Sequence, residues 1–160
     1  MHILFIGDIY ASPGRRIVSD NLNRIVTEER IEMTRWELQD FAVQVVRERL
    51  ESEGYEVLSW QSDPRMRPSL WFVGDSGERE WVVVEATRED SLRAEFPGNW
   101  DALCRTVATA GRIGHFASVG VRRADPQPAG ERRWPAPLWR GHAMLARFTG
   151  LESATQAPPA

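Results

Sequence analysis

The sequence predicts an α/β domain, a mixed sheet flanked by helices, and three observations carry that expectation. Trp81-Val82-Val83-Val84 is a run of four large apolar residues, three of them β-branched, which fits a strand buried on both faces. Leu70-Trp71-Phe72-Val73 precedes it across Gly74-Asp75-Ser76-Gly77, a turn composition that joins antiparallel strands. Apolar residues at helical spacing stand before this hairpin (Leu38, Phe41, Ala42, Val45, Val46, Leu50) and after it (Trp100, Leu103, Cys104, Val107, Ala108). The central strand ends in Glu85-Ala86-Thr87. A carboxylate at the end of so apolar a strand needs a cationic partner, a metal or water, which makes Glu85 the first candidate site residue.

The chain opens with a short buried-strand pattern, Ile3-Leu4-Phe5-Ile6-Gly7, followed by Asp8 and a loop. Ser12-Pro13 suits a helix N-terminus, and Ile17, Val18, Leu22, Ile25 and Val26 continue at helical spacing. A new unit begins at Met33, which also reads as a start site, so residues 1–32 form a strand–helix appendage. Thr34-Arg35-Trp36-Glu37 is a capping box, and Gly54 stops the helix it opens. Tyr55 to Trp60 alternates as a strand with Tyr55, Val57 and Ser59 on one face. A loop with two prolines, residues 62–68, leads to the hairpin. Asn99 is placed to cap the later helix, and Gly111 and Gly114 to end it. Phe116 to Val121 reads as a strand, 124–137 as a Pro- and Gly-rich connection, and Leu138 to Phe148 as a last strand. The domain is expected to span 33–150, with 151–160 a disordered tail.

Composition narrows the function classes. All twenty cationic residues are arginine, so a Walker A lysine, a Schiff-base lysine and a lysine beside a metal are excluded. Cys104 is the only cysteine, which rules out an intrachain disulfide and a cysteine-based zinc cluster. It lies on an apolar helix face and reads as core. The net charge of −3 argues against strong nonspecific nucleic-acid affinity and leaves room for a local basic patch. With no signal peptide and no apolar run long enough for a bilayer, no membrane association is expected, and the cytosol is the expected compartment.

Two resemblances add to this reading. Ile3-Leu4-Phe5-Ile6-Gly7-Asp8-Ile9 with Ser12-Pro13-Gly14-Arg15 resembles the opening of a bacterial calcineurin-like metallophosphodiesterase family. There, the aspartate matching Asp8 is a metal ligand. The family's later Gly-Glu-Asn and Gly-Asn-His motifs are absent, and the three histidines (2, 115 and 142) stand in unrelated contexts.

From Met33 onward, the order helix, three strands with an antiparallel hairpin, helix, strand resembles the PD-(D/E)XK, or restriction-endonuclease-like, fold. That resemblance implies an acidic residue opening the second strand and a Glu-x-Lys triplet on the third, the acids holding Mg²⁺. Glu85 matches the glutamate, Thr87 stands at the lysine position and Ser69 at the aspartate position. Asp63, in the preceding loop, is the acid that would join Glu85 as a metal ligand and catalytic residue. Glu37 matches a helix acid that some members use, and also completes the capping box. Strand alternation turns Arg88 away from Glu85. The structural alternative for Glu85 is pairing with an arginine of the second helix, such as Arg105. His142 is expected as an exposed strand residue.

Arg65, Arg67, Arg122, Arg123, Arg132, Arg133 and Arg140, with Trp134 and Trp139, are expected to form an arginine-rich rim for phosphates and bases, the alternative being solvated loops. The leading functional expectation is a catalytically silent binding or assembly module with no cofactor. The alternatives are a Mg²⁺-dependent nuclease around Glu85 and a phosphodiesterase fragment acting through Asp8. Self-association is left open.

Overall fold

The computed structural model describes residues 2–5, 30–88, 93–126, 129–130, 133 and 135–153. Its elements in chain order are β1 (His2–Phe5), α1 (Arg35–Ser52), β2 (Glu56–Trp60), β3 (Leu70–Val73), β4 (Arg79–Thr87), α2 (Trp100–Val107), β5 (Ile113–Arg123), β6 (Met144–Phe148) and β7 (Glu152–Ser153). One mixed sheet runs β1-β6-β5-β4-β3-β2, and β7 pairs with β5 off that path. The fold is of the mixed α/β class. The expected N-terminal helix and Asp8 lie outside the described residues, as do residues 154–160.

The capping box starts α1 as its residue types require. Thr34 Oγ1 accepts from the Glu37 amide at 3.2 Å, and Glu37 Oε2 accepts from the Thr34 amide at 2.7 Å. Gly54, at φ +92°, turns the chain out of the helix in a conformation that favours glycine. The hairpin is antiparallel with Trp71 opposite Trp81. The crossover through α2 then brings β5 parallel to β4, from Glu80 opposite Ile113 to Thr87 opposite Gly120.

Alternation along β4 explains why four apolar residues stand together. Val82 and Val84 point to one side, where Leu38, Ala42, Val43, Val46 and Leu50 of α1 bury them with Ala117, Val119 and Val121. Trp81 and Val83 point to the other, against Trp100, Leu103 and Val107 of α2 and Phe116. Neither face of the strand reaches water between Trp81 and Val84, and both helices are held by its side chains.

Several boundaries differ from expectation for local reasons. A bulge between Val57 and Ser59 sets Val57 opposite Phe72 and Ser59 opposite Trp71, so these two do not share a face. Gly114 lies inside β5 instead of ending α2; a Cβ there would overlap the Trp81 ring. The last long strand is shorter than expected. Gly141 at φ +75° closes a turn, and residues 138–140 bond instead to 31–33, with Met33 N donating to Leu138 O (2.8 Å) and Arg140 N to Ile31 O (2.8 Å). His142 therefore sits in that turn, not mid-strand. Residues 151–153, expected in the tail, belong to the fold: Leu151 packs on the core and Glu152-Ser153 pairs with β5.

Residues before the expected boundary touch the domain: β1 pairs with β6, and Glu32 bonds Arg88 and Arg133. These ion pairs are partly exposed and worth about 1 kcal/mol. A chain starting at Met33 is therefore expected to unfold cooperatively in a thermal melt at a modestly lower temperature. Recovery only as aggregate would place residues 1–32 in the core.

Candidate functional site

Glu85 projects from β4 on the α2 side, two residues beyond Val83, where the apolar core ends. Its partner is Arg67, whose Nη2 donates to Glu85 Oε1, with about a quarter of either side chain exposed. Arg67 Nη1 also reaches Asn99 Oδ1 at 3.4 Å. Asn99 precedes α2 but makes no side-chain cap bond, so its amide serves the site and not the helix. The expected partner Arg105 is thus replaced by an arginine of the 61–69 loop. Gln61 braces that loop by donating to Met66 O (2.6 Å) and Pro68 O (3.1 Å). Burial holds the Glu85 carboxyl above the usual carboxylate range, against the pull of Arg67 and Arg35.

The neighbouring positions are committed elsewhere. Ser69 is buried, and its hydroxyl accepts from the Val84 amide at 3.0 Å while its own amide donates to Val82 O at 2.8 Å. Gln39 Nε2 donates to Val84 O at 2.8 Å, so two side chains satisfy the β4 backbone beside Glu85. Asp63 accepts from the Arg65 amide (2.9 Å), Nε (3.0 Å) and Nη2 (2.9 Å), and the side-chain bonds from Arg65 hold it below its usual range. Glu37 adds an ion pair with Arg140 (2.6 Å) to its capping role. Burial pushes the Glu37 carboxyl up, but the Thr34 amide and Arg140 outweigh it, leaving it below its ordinary value. Arg88, turned away from Glu85, bonds Glu32 and Met33 O.

Residues 32–37 therefore gather arginines from distant parts of the chain. Glu32 holds Arg88 and Arg133, Glu37 holds Arg140, and Arg35 acts on Glu85 beside Arg67. Arg65 belongs to Asp63 and not to this group. Arg132 and Trp134 lie outside the described residues. Gln39 and Ser69, which fix β4, were invisible as a pair in the sequence; the only signal was a glutamine flanked by Leu38, Phe41 and Ala42 on an apolar helix face. A second pair was equally hidden, His115 Nε2 lying 2.6 Å from Glu80 Oε2 in the α1-side interior.

The family model described as a domain of unknown function (DUF8840) matches residues 36–154. The chain belongs to that family. No curated protein and no solved structure matches it. The matched residues of this DUF8840 domain run from the first turn of α1 past β7 and include Glu37, Asp63, Arg67, Glu85 and Arg140.

Mg²⁺ asks for one or two carboxylates in near-octahedral geometry with waters and substrate oxygens. In this DUF8840 domain Glu85 faces a guanidinium, the Ser69 hydroxyl serves the backbone and Asp63 is held by Arg65 through both oxygens. That donor set does not fit the ion. Among the described residues no three His, Cys, Asp or Glu side chains stand together as metal ligands. No helix among them is long and apolar enough to cross a membrane.

Proposed function

We propose that this chain is a restriction-endonuclease-like module that binds the phosphates of a nucleic acid and does not cut them. The antiparallel hairpin, the crossover helix and the parallel β5 agree with that architecture, as does a glutamate near the end of β4. The observation that carries the non-cleaving part is the Arg67 guanidinium on Glu85, where a metal-dependent enzyme needs a free carboxylate. Two of three positions expected to carry catalysis are Ser69 and Thr87, which supply no charge to the ion and no cation to position or activate the attacking water.

Binding is supported by the arginines gathered around 32–37. Arg88 and Arg133 meet Glu32, Arg140 meets Glu37, and Arg35 acts with Arg67 on Glu85. The carboxylates hold the guanidinium groups in place, and phosphate oxygens compete for the same forked donors. Trp36, about half exposed in the first turn of α1, offers a surface for base stacking beside Arg35.

Fluorescence anisotropy with short labelled single- and double-stranded DNA tests this reading. Affinity should fall linearly with log salt, and Arg133→Ala should reduce that slope by about 1 while weakening binding to all sequences alike. Absence of binding at low salt, or an unchanged slope in Arg133→Ala, contradicts it.

A further inference from the structure

The sheet ends on β2, and among the described residues no strand pairs with its outer edge. That edge is apolar: Leu58 (41% exposed), Trp60 (45%) and Met66 (61%) lie on β2 and the loop after it. The adjoining side of α1 is marked by two contacts. Arg47 lies over the Trp60 ring, 4.2 Å from its centroid, and Asp40 Oδ1 accepts from Ser62 Oγ at 2.5 Å. Trp36, Asp40, Arg47 and Glu51 follow one another at steps of four, seven and four residues, so they form one stripe along this side.

We infer that this edge is a self-association surface, with a second copy of the chain adding its β2 antiparallel across a two-fold axis. The bulge decides the register. Val57 and Trp60 stand opposite Phe72 and Leu70, on the α1 side, while Ser59 stands opposite Trp71, on the α2 side. Pairing residues 57–60 of two copies sets Trp60 against the other copy's Val57, and Leu58 against its Ser59. The α1 side of the sheet, carried by Val57 and Trp60, then continues across the junction. A slip by one residue that paired Val57 with Ser59 would set the α1 side against the α2 side, so the bulge disfavours it.

Charge complementarity points to the same occupant. The two-fold axis passes between Leu58 and Ser59, beside the C-terminal half of α1, where Arg47 and Glu51 pair within one helix at 3.4 Å. Antiparallel helices there bring Arg47 of each copy to Glu51 of the other. Both copies use their β2 edge once, so the assembly closes as a dimer. Two short strands alone bury far less than the ~1,600 Å² of a standard interface, so Trp60, Met66 and the Arg47–Glu51 end of the α1 stripe must contribute, and the affinity is expected near the micromolar range.

Sedimentation velocity of the full chain from about 1 to about 500 μM should follow the mass from 18.2 kDa toward twice that value. Leu58→Lys, checked for folding by circular dichroism, should remain monomeric throughout. Arg47→Glu should weaken the dimer about tenfold or more, and adding Glu51→Arg to the same chain should restore it. A parent chain monomeric at every concentration overturns the inference. So does a dimer indifferent to both Leu58→Lys and Arg47→Glu, or a mass that grows beyond two copies.

Discussion

Trp81→Ala should cost about 3–5 kcal/mol, the largest loss expected from any single substitution here. Trp81 is wholly buried, lies 4.9 Å from the Trp100 ring by centroids, and donates Nε1–H to Gly111 O at 3.1 Å. Its ring also covers Gly114, where no Cβ fits, so β5 has shaped itself to this one side chain. Truncation leaves a cavity between β4, β5 and α2 that the surrounding strands cannot collapse into, and the Gly111 carbonyl loses its donor. Against a typical stability of about 5–15 kcal/mol this lowers the melting temperature by something of order 10 °C. Trp36→Ala, at an exposed position, should stay within about 0.5 kcal/mol. Denaturant melts of the two variants compare them directly; a Trp81 loss below about 1 kcal/mol would mean that β4 is not the centre of the fold.

Arg67→Ala should cost about 2–3 kcal/mol at neutral pH, below the about 3–5 expected when a fully buried pair is broken, because both side chains keep some contact with water. The substitution leaves Glu85 buried, without its hydrogen bond and with only Arg35 to favour its charge. Glu85→Gln should behave differently. Burial already holds the Glu85 carboxyl above its usual range, so its ionised form gains little from the fold and a neutral amide loses little. The pH dependence has a definite sign. A carboxyl raised in the folded state contributes stability at acid pH that is lost as pH rises from the ordinary value of 4.5 through the folded one. The Arg67→Ala deficit should therefore shrink toward acid pH and be absent in the Glu85→Gln background. Urea titrations of the single and double variants at several pH values measure both effects; a deficit that grows toward acid would reverse the assignment.

Much of the fold was legible because its signals are local. The Thr34–Glu37 box, the Gly74–Gly77 turn and the β4 run each fix one element within a few residues, and all three stand in the structure as the sequence implies. What the sequence left open depends on distant partners. Arg67 reaches Glu85 across 18 positions, Gln39 reaches Val84 across 45, and Glu80 meets His115 across 35; no periodicity reports such pairs. Arg105 was a reasonable partner for Glu85 by element order, but the 61–69 loop folds back and supplies Arg67 first. The start of β6 differs from expectation for a similar reason. Residues 138–140 carry strand-like side chains, yet their backbone pairs with 31–33, a contact of high sequence separation. Asp63 was visible as an acid near the site, and its capture by Arg65 two residues away was a local feature that the charge pattern did contain.

Incubation of the chain with supercoiled plasmid, single-stranded DNA and RNA in Mg²⁺ or Mn²⁺ tests the central claim most directly, with Glu85→Gln beside it. With Arg67 seated on Glu85, and serine and threonine at the flanking positions, all three substrates should stay intact, and the variant should be indistinguishable from the parent. Cleavage by the parent that disappears in a folded Glu85→Gln chain would contradict the account and make this protein a nuclease.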